Sequence, residues 1–432
     1  MKSKILLSLV IGVFFLVATT PFIYGSRWIL SSNSGQLPDD LASKVQQAGG
    51  TLISTLGEMG VAFAEFSNRS DAESLEAHGM DVMVDIEAQW IPEDQNSVFI
   101  EDTGIQAVPG TSDTYYRYQW HHPVIHSDQA WAAGVFGNGV RVAVIDTGIW
   151  YKHPDLKNNI DYAASISLVP GITDFLDDNG HGTHVSGIIA AAANNWGSVG
   201  VAPQATLIGI KVFDSTGRGP MSRVVQGIYH AISQNAQVIN MSLGTYVKKN
   251  GYAGSYTARD AQKIIKLNRK AVTYATSHGA LVVCSAGNES IDMDHNQNII
   301  GVPSECANAI SISATGPIGL QDFDHFASYS CYGNSAIWVA APGGDSINYP
   351  NAGWYYDMVF STTINGWSWM SGTSMAAPMV SGVAALILSK YGPMSPGELK
   401  NRIAQTADDL GKPGHDPYYG RGRVNAYRAV TD

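Results

Sequence analysis

Between residues 140 and 314 the chain repeats a pattern that few architectures satisfy. Short apolar β-type runs at 140–145, 205–213, 237–242, 281–285 and 309–314 are separated in several places by helical segments, notably 222–234. Runs that are apolar throughout, instead of at every second residue, suit strands buried on both faces. Strands alternating with helices predict a doubly wound α/β fold with a mostly parallel sheet and right-handed crossovers. Ligands in such sheets bind beyond the carboxyl ends of the strands. Asp146 comes directly after the first run and Asn288 shortly after the fourth, so both stand where that rule places chemistry.

The stretch Gly372-Thr373-Ser374-Met375-Ala376-Ala377-Pro378 sets a small serine at the mouth of an Ala/Gly-rich helix and then breaks a helix rule. Pro378 has no N–H to give to the Ser374 carbonyl, a defect of about 3 kcal/mol in an ordinary helix interior. Local rule-breaking tends to mark function. Serine is a poor nucleophile at neutral pH; it needs a base within reach, and the base needs an orienting partner. His181, in His181-Gly182-Thr183-His184-Val185-Ser186-Gly187, offers the base, and Asp146, in Val142-Ala143-Val144-Ile145-Asp146-Thr147-Gly148, offers the carboxylate.

The Asp146, His181, Ser374 order and these motifs resemble the subtilisin-like serine proteases, the subtilases, from about Tyr115 to Val430. A fourth motif, Ser285-Ala286-Gly287-Asn288, matches the family's oxyanion-hole asparagine, whose loss costs about 10²–10³ in rate in this family. The resemblance implies a serine endopeptidase that acts on polypeptides, works as a monomer and needs no catalytic cofactor. It assigns Ser242-Leu243-Gly244 and Gly217-Arg218-Gly219 to the two strands that flank a bound peptide. Gly301 would be a pocket floor with room for a large apolar P1 side chain. It also implies a structural calcium site: Asp155 and Asn194 as side-chain ligands, the carbonyls of Ala192, Trp196 and Ser198, and Gln119 as a further candidate.

A chain of 432 residues exceeds what one core usually serves, so two folded units are expected. Residues 27–90 read as βαββαβ, with extended runs at 28–30, 51–56, 61–66 and 80–86 and helices at 41–48 and 71–78. That unit resembles the ferredoxin-like prodomain of subtilases, an intramolecular inhibitor, which implies a zymogen. The domains expected are a signal peptide or anchor at 1–25, an inhibitor-type prodomain at 26–91, a linker with the maturation cut at 92–114, and a catalytic domain at 115–432.

Lys2 and Lys4 precede an apolar run from Ile5 to Val17, the pattern of a secretory signal. The protein is therefore expected to be secreted, or tethered outside the membrane if that segment stays uncleaved. A net charge of −11, with no basic cluster larger than Lys248-Lys249, excludes a nucleic-acid partner. Three cysteines leave at least one unpaired. Cys284 reads as a buried strand residue, and the resemblance leaves a Cys306–Cys331 bridge open.

Other readings compete. His181 and His184 could suggest a metal pair, but they lack the glutamate of the His-Glu-x-x-His arrangement, so His184 is expected as a satisfied helix residue. His121, His122 and His126 are expected to be surface or packing residues. A second Asp-Thr-Gly at 102–104 invites comparison with aspartic proteases, yet it has no apolar strand before it. A non-catalytic binding protein on the same scaffold would not need all four site residues. Two segments are longer than in compact subtilases, 246–270 and the aromatic-rich 344–369, and either could reshape the cleft.

Overall fold

The computed structural model describes residues 27–92, 97–101, 113–296 and 298–432. The expected signal or anchor segment, residues 102–104 and most of the expected linker lie outside them. The central sheet has seven strands in the order Ile337–Pro342, Ile310–Thr315, Leu281–Ser285, Val238–Met241, Arg141–Asp146, Thr206–Lys211, Ile166–Ser167. Every neighbouring pair is parallel, and its fold is the α/β one expected.

Alternation within each strand divides the core. Val142 and Val144 join one apolar cluster with the helices His181–Ala190 and Thr373–Tyr391, whereas Ala143 and Ile145 join another with Met221–Ser233 and Ala258–Ser277. Both faces are thus covered, which is why the runs are apolar throughout.

The N-terminal unit is a four-stranded antiparallel sheet in the order Thr51–Leu56, Val61–Glu65, Arg27–Ser32, Met80–Val84. Its second helical segment is a short α-helix, Arg69–Glu73, followed by a 3₁₀ turn, Ser74–His78. The unit rests on the helix Ala258–Ser277, which the longer segment after Gly244 supplies. That helix starts with a capping box between Thr257 and Asp260. Asp260, Lys263, Lys266, Lys270 and Tyr274 recur every three or four residues, with Arg259 beside the first, so they form one polar stripe. Arg69 reaches both Asp260 oxygens at 2.7 and 2.8 Å, Glu76 pairs with Arg259 and Lys263, Asp81 with Lys266, and Glu58 accepts from Tyr274. On the neighbouring helix, the Asp85 carboxylate takes the Ser222 N–H and hydroxyl, although burial pushes its pKa up to about 6.

The aromatic-rich segment before Ser374 forms a hairpin, Val359–Thr363 with Gly366–Met370. A strand inside the expected linker, Ser97–Glu101, pairs antiparallel with its outer edge. All three cysteines are unbridged and buried. Cys306 lies in the cluster that holds Cys284, while Cys331 sits beside the Tyr246 hydroxyl at 3.2 Å in a separate one.

Candidate active site

Asp146 ends its strand at the carboxyl edge of the sheet and is fully buried; one carboxylate oxygen accepts the Thr147 N–H at 2.7 Å. The helix that carries His181 starts beside it. Asp177 accepts N–H groups from Asn179, Gly180 and Thr183 and so caps the turn that begins this helix. Gly182 allows the approach: a Cβ there would lie 2.2 Å from the Gly148 carbonyl oxygen. His181 Nδ1 consequently lies 2.8 and 3.0 Å from the two Asp146 oxygens. A carboxylate only accepts, so Nδ1–H donates and Nε2 keeps its lone pair. Nε2 is buried and has no hydrogen-bond partner among the described residues.

Ser374 stands in the first turn of Thr373–Tyr391, where backbone N–H groups lack intrahelical partners. Its Oγ donates to the Ser242 carbonyl at 3.2 Å and not to His181, a looseness common in sites without substrate. The carbonyl that Pro378 deprives of a partner has found one, since Ser242 Oγ donates to Ser374 O at 2.8 Å. Asn240 donates to that hydroxyl at 3.0 Å and in turn accepts from Ser381 at 2.8 Å. Asn288 Oδ1 accepts from both the Thr373 N–H and hydroxyl, at 2.9 and 2.8 Å, which fixes the amide plane and leaves Nδ2 on the Gly372 side.

The two flanking strands already hold a piece of this chain. Glu87–Gln89 pairs antiparallel with Arg218–Pro220, and the N–H groups of Trp90 and Ile91 reach the Gly217 carbonyl at 3.1 and 3.3 Å. Gly244 N–H meets the Trp90 carbonyl at 3.5 Å, beside Leu243 and Ser242. The Trp90 indole donates to Gly219 O at 2.8 Å and stacks on Phe213. Gly217 is needed as glycine, because a Cβ would fall 2.7 Å from that of Ile91. At Gly301 a Cβ would meet Ser304 Oγ at 2.9 Å and the Met293 methyl at 3.0 Å, so a side chain at this position would crowd its neighbours.

The loop after the His181 helix gathers around Asp155, which is fully buried. Its carboxylate accepts from Ser198 N–H at 2.8 Å, the Trp367 indole at 2.9 Å and the Asn194 amide at 3.4 Å, while Ala192 N–H reaches the Asp155 carbonyl. Burial pushes this carboxyl up to about 7. A second buried carboxylate, Asp113, accepts the N–H groups of Asn194 and Trp196. In sequence Asp113 belongs to the expected linker; only the fold carries it to this loop. Two buried carboxylates that both meet one loop fit a divalent cation, although among the described residues no group of three or more His, Cys, Asp or Glu side chains comes together. Gln119 faces elsewhere, its amide pairing with both backbone groups of Val199.

His184 donates to or accepts from nothing in the cleft; Nε2 bonds the Ser368 carbonyl at 3.1 Å, and burial lowers its pKa to about 3, holding it neutral. His121 and His122 are buried packing residues, and His126 is partly exposed at a helix junction.

Known proteins resemble this chain over most of its length. A model of the subtilase family matches residues 137–422. The thermostable alkaline protease of Halalkalibacterium halodurans is 39% identical over 312 residues, 72% of this chain and 73% of that protein. Among solved structures, the epidermin leader peptide processing serine protease from Staphylococcus aureus superposes with a TM-score of 0.77 at 23% identity, covering 94% of this chain and 99% of that one. The nisin leader peptidase of Lactococcus lactis gives a TM-score of 0.62 at 27% identity, covering 73% and 94%.

Proposed function

The chain belongs to the subtilase family of serine endopeptidases, and from that premise we propose that it is an exported zymogen that cleaves polypeptides through an acyl-enzyme on Ser374. The observation that carries this reading is the His181–Asp146 bond of 2.8 Å, which holds Nε2 as a buried base with no partner among the described residues, on a helix packed against the one that carries Ser374. His181 takes the Ser374 proton as Oγ attacks the scissile carbonyl carbon. Asp146 stays ionised and stabilises the imidazolium. The oxyanion forms against Asn288 Nδ2 and the Ser374 N–H, two donors fixed beforehand. His181 then protonates the leaving amine, and water attacks the acyl carbon by the same route. Ser374→Ala should lower turnover by about 10⁶-fold, the value known for the nucleophile of this family, and abolish labelling by a fluorophosphonate. A variant free of other proteases that kept most of its activity would falsify the assignment.

Residues 26–91 act as the intramolecular inhibitor, a reading supported by residues 87–91 lying along the two substrate strands. The cut falls between Glu93 and Tyr118, and full-length Ser374→Ala accumulates uncut. Export is supported by Lys2, Lys4 and the apolar run that follows, whether or not the segment is cleaved. Likeness to two proteases named for leader-peptide removal favours processing of a precursor over bulk degradation.

A calcium ion would be held by Asp155, Asn194 and the carbonyls of Ala192, Trp196 and Ser198, with Asp113 as an added carboxylate. It would neutralise buried charge and has no part in the reaction. The pH dependence follows from Asp155. Burial lifts its folded pKa to about 7, above the usual aspartate value of 3.8, so between those values the folded state binds more protons than the unfolded one. Without calcium, stability should therefore fall as pH rises from about 4 to 7. Millimolar calcium should flatten that slope and raise the melting temperature at pH 8. Melts of Ser374→Ala that are identical in chelator and in calcium at every pH would remove the ion.

A further inference from the structure

The strand Gly366–Met370 runs directly toward the nucleophile, with Met370 four positions before Ser374. One of its edges pairs with Val359–Thr363, and the other with Ser97–Glu101, in the register Met370 to Ser97, Trp369 to Val98, Ser368 to Phe99, Trp367 to Ile100 and Gly366 to Glu101. Chain direction gives this pairing its meaning. Residues 87–91 lie along the Arg218–Pro220 side of the cleft, and the same polypeptide then runs from Ser97 beside Met370 to Glu101 beside Gly366, leading away from Ser374. The two stretches flank the serine in the order that the two halves of a cleaved polypeptide would.

We propose that the outer edge of Gly366–Met370 is the primed-side half of the substrate cleft, a β-edge for the extended residues after the scissile bond, and that Ser97–Glu101 fills it in cis before maturation. The inference rests on the endopeptidase reading of Ser374. An added strand gains main-chain hydrogen bonds for affinity and alternate side-chain pockets for specificity. The edge is preformed, which lowers the entropic penalty of binding. Ser361 Oγ and Thr362 Oγ1 donate to the His184 and Thr183 carbonyls, each at 2.8 Å, so the hairpin is braced on the helix that carries His181. His184 and His153 further tie the Ser368 and Gly366 carbonyls.

Side-chain selectivity should alternate. Val98 packs on the aromatic cluster of Tyr115, Phe360, Trp367 and Trp369, while Phe99 points outward with 62% of its surface exposed. A substrate residue in the place of Val98 should have to be apolar, and its neighbour in the place of Phe99 should be free to vary. Once Ser97–Glu101 leaves, the edge offers unpaired backbone groups, the condition under which a sheet recruits another strand.

The test uses enzyme matured by itself from the full-length chain, with its N-terminus read by mass spectrometry. Peptides share one unprimed sequence and carry either a p-nitroanilide, two primed residues or seven. The longest should exceed the two-residue peptide by about ten- to a hundredfold in kcat/KM, the effect of two or three net main-chain hydrogen bonds. N-methylation of single primed nitrogens should erase that gain at every second position only, and an aspartate scan should find one apolar-only position. Equal kcat/KM for two and seven primed residues, N-methyl effects without alternation, or an active enzyme that retains Ser97–Glu101 would overturn the proposal. Failure to hydrolyse even the anilide would instead strike the Ser374 reading on which it rests.

Discussion

The helices Thr373–Tyr391 and Ala258–Ser277 are both long and lie on opposite faces of one sheet, yet they meet their surroundings in contrary ways. The first is buried on every side from Thr373 to Leu388, Pro378 included. The second buries Ile264, Leu267, Ala271 and Val272 but turns a charged stripe toward the N-terminal unit. Pulling apolar surface away from the first would expose it to water at about 25 cal/mol per Å². The exposed pairs on the second, Arg259–Glu76 and Lys266–Asp81, can trade their partners for water at small net cost, about 0–1 kcal/mol each, whereas Asp260 and Lys263 are held in buried pairs. The first joint is the more persistent of the two, and the second is the one that the proposed zymogen would have to part.

The comparison can be broken first on the permanent side. Asn288→Ala should reduce kcat by about 10²–10³ while the N-terminal unit stays docked and the melting temperature changes little. A large loss of stability would mean that Asn288 mainly holds Thr373 in place. Ser242→Ala comes next. It leaves the buried Ser374 carbonyl without its donor, a loss of about 1–3 kcal/mol, and thermal melts should register it whether or not the N-terminal unit is present. Ser242→Thr, which keeps the hydroxyl, should recover most of that loss; no recovery would move the cause from the hydrogen bond to packing.

The smallest expected effect belongs to the parting side. Arg69→Ala removes the bonds from Arg69 Nη2 to both Asp260 oxygens, where the Asp260 side chain is buried while Arg69 remains 29% exposed. Its hold on the N-terminal unit should weaken by about tenfold, or ~1.4 kcal/mol, read as faster release of that unit after cleavage. Added salt should speed release of the unaltered protein and do so less in the variant. Release that ignores salt would make the apolar contacts, such as Trp90 on Phe213, the dominant bond across the joint.

Much of this was legible in local pattern. The five apolar runs became the five inner strands to within about two residues at their ends, because burial on both faces leaves a continuous apolar signature. The two outer strands were missed. Ile166–Ser167 is too short to have a pattern, and Ile337–Pro342 ends in a proline that reads as a loop. The basic stripe of Ala258–Ser277 was present at helical spacing, but nothing local named its partners. Strand Ser97–Glu101 was read as linker because its extension depends on the edge of a hairpin more than 260 residues away.

The sequence by itself determined the α/β class, the family and the four residues most fit for the chemistry, since apolar period and short motifs are properties of neighbouring residues. It also exposed the Pro378 defect without revealing the cure. Tertiary structure alone decided that Ser242, 132 positions away, donates to the orphaned Ser374 carbonyl, that Asp113 and Asp155 both meet one loop, and that Glu87–Gln89 and Ser97–Glu101 pair with Arg218–Pro220 and Gly366–Met370. Such contacts join a side chain or strand edge to a distant backbone, and a backbone group is the same in every residue, so no letter of the sequence marks where the bond will form.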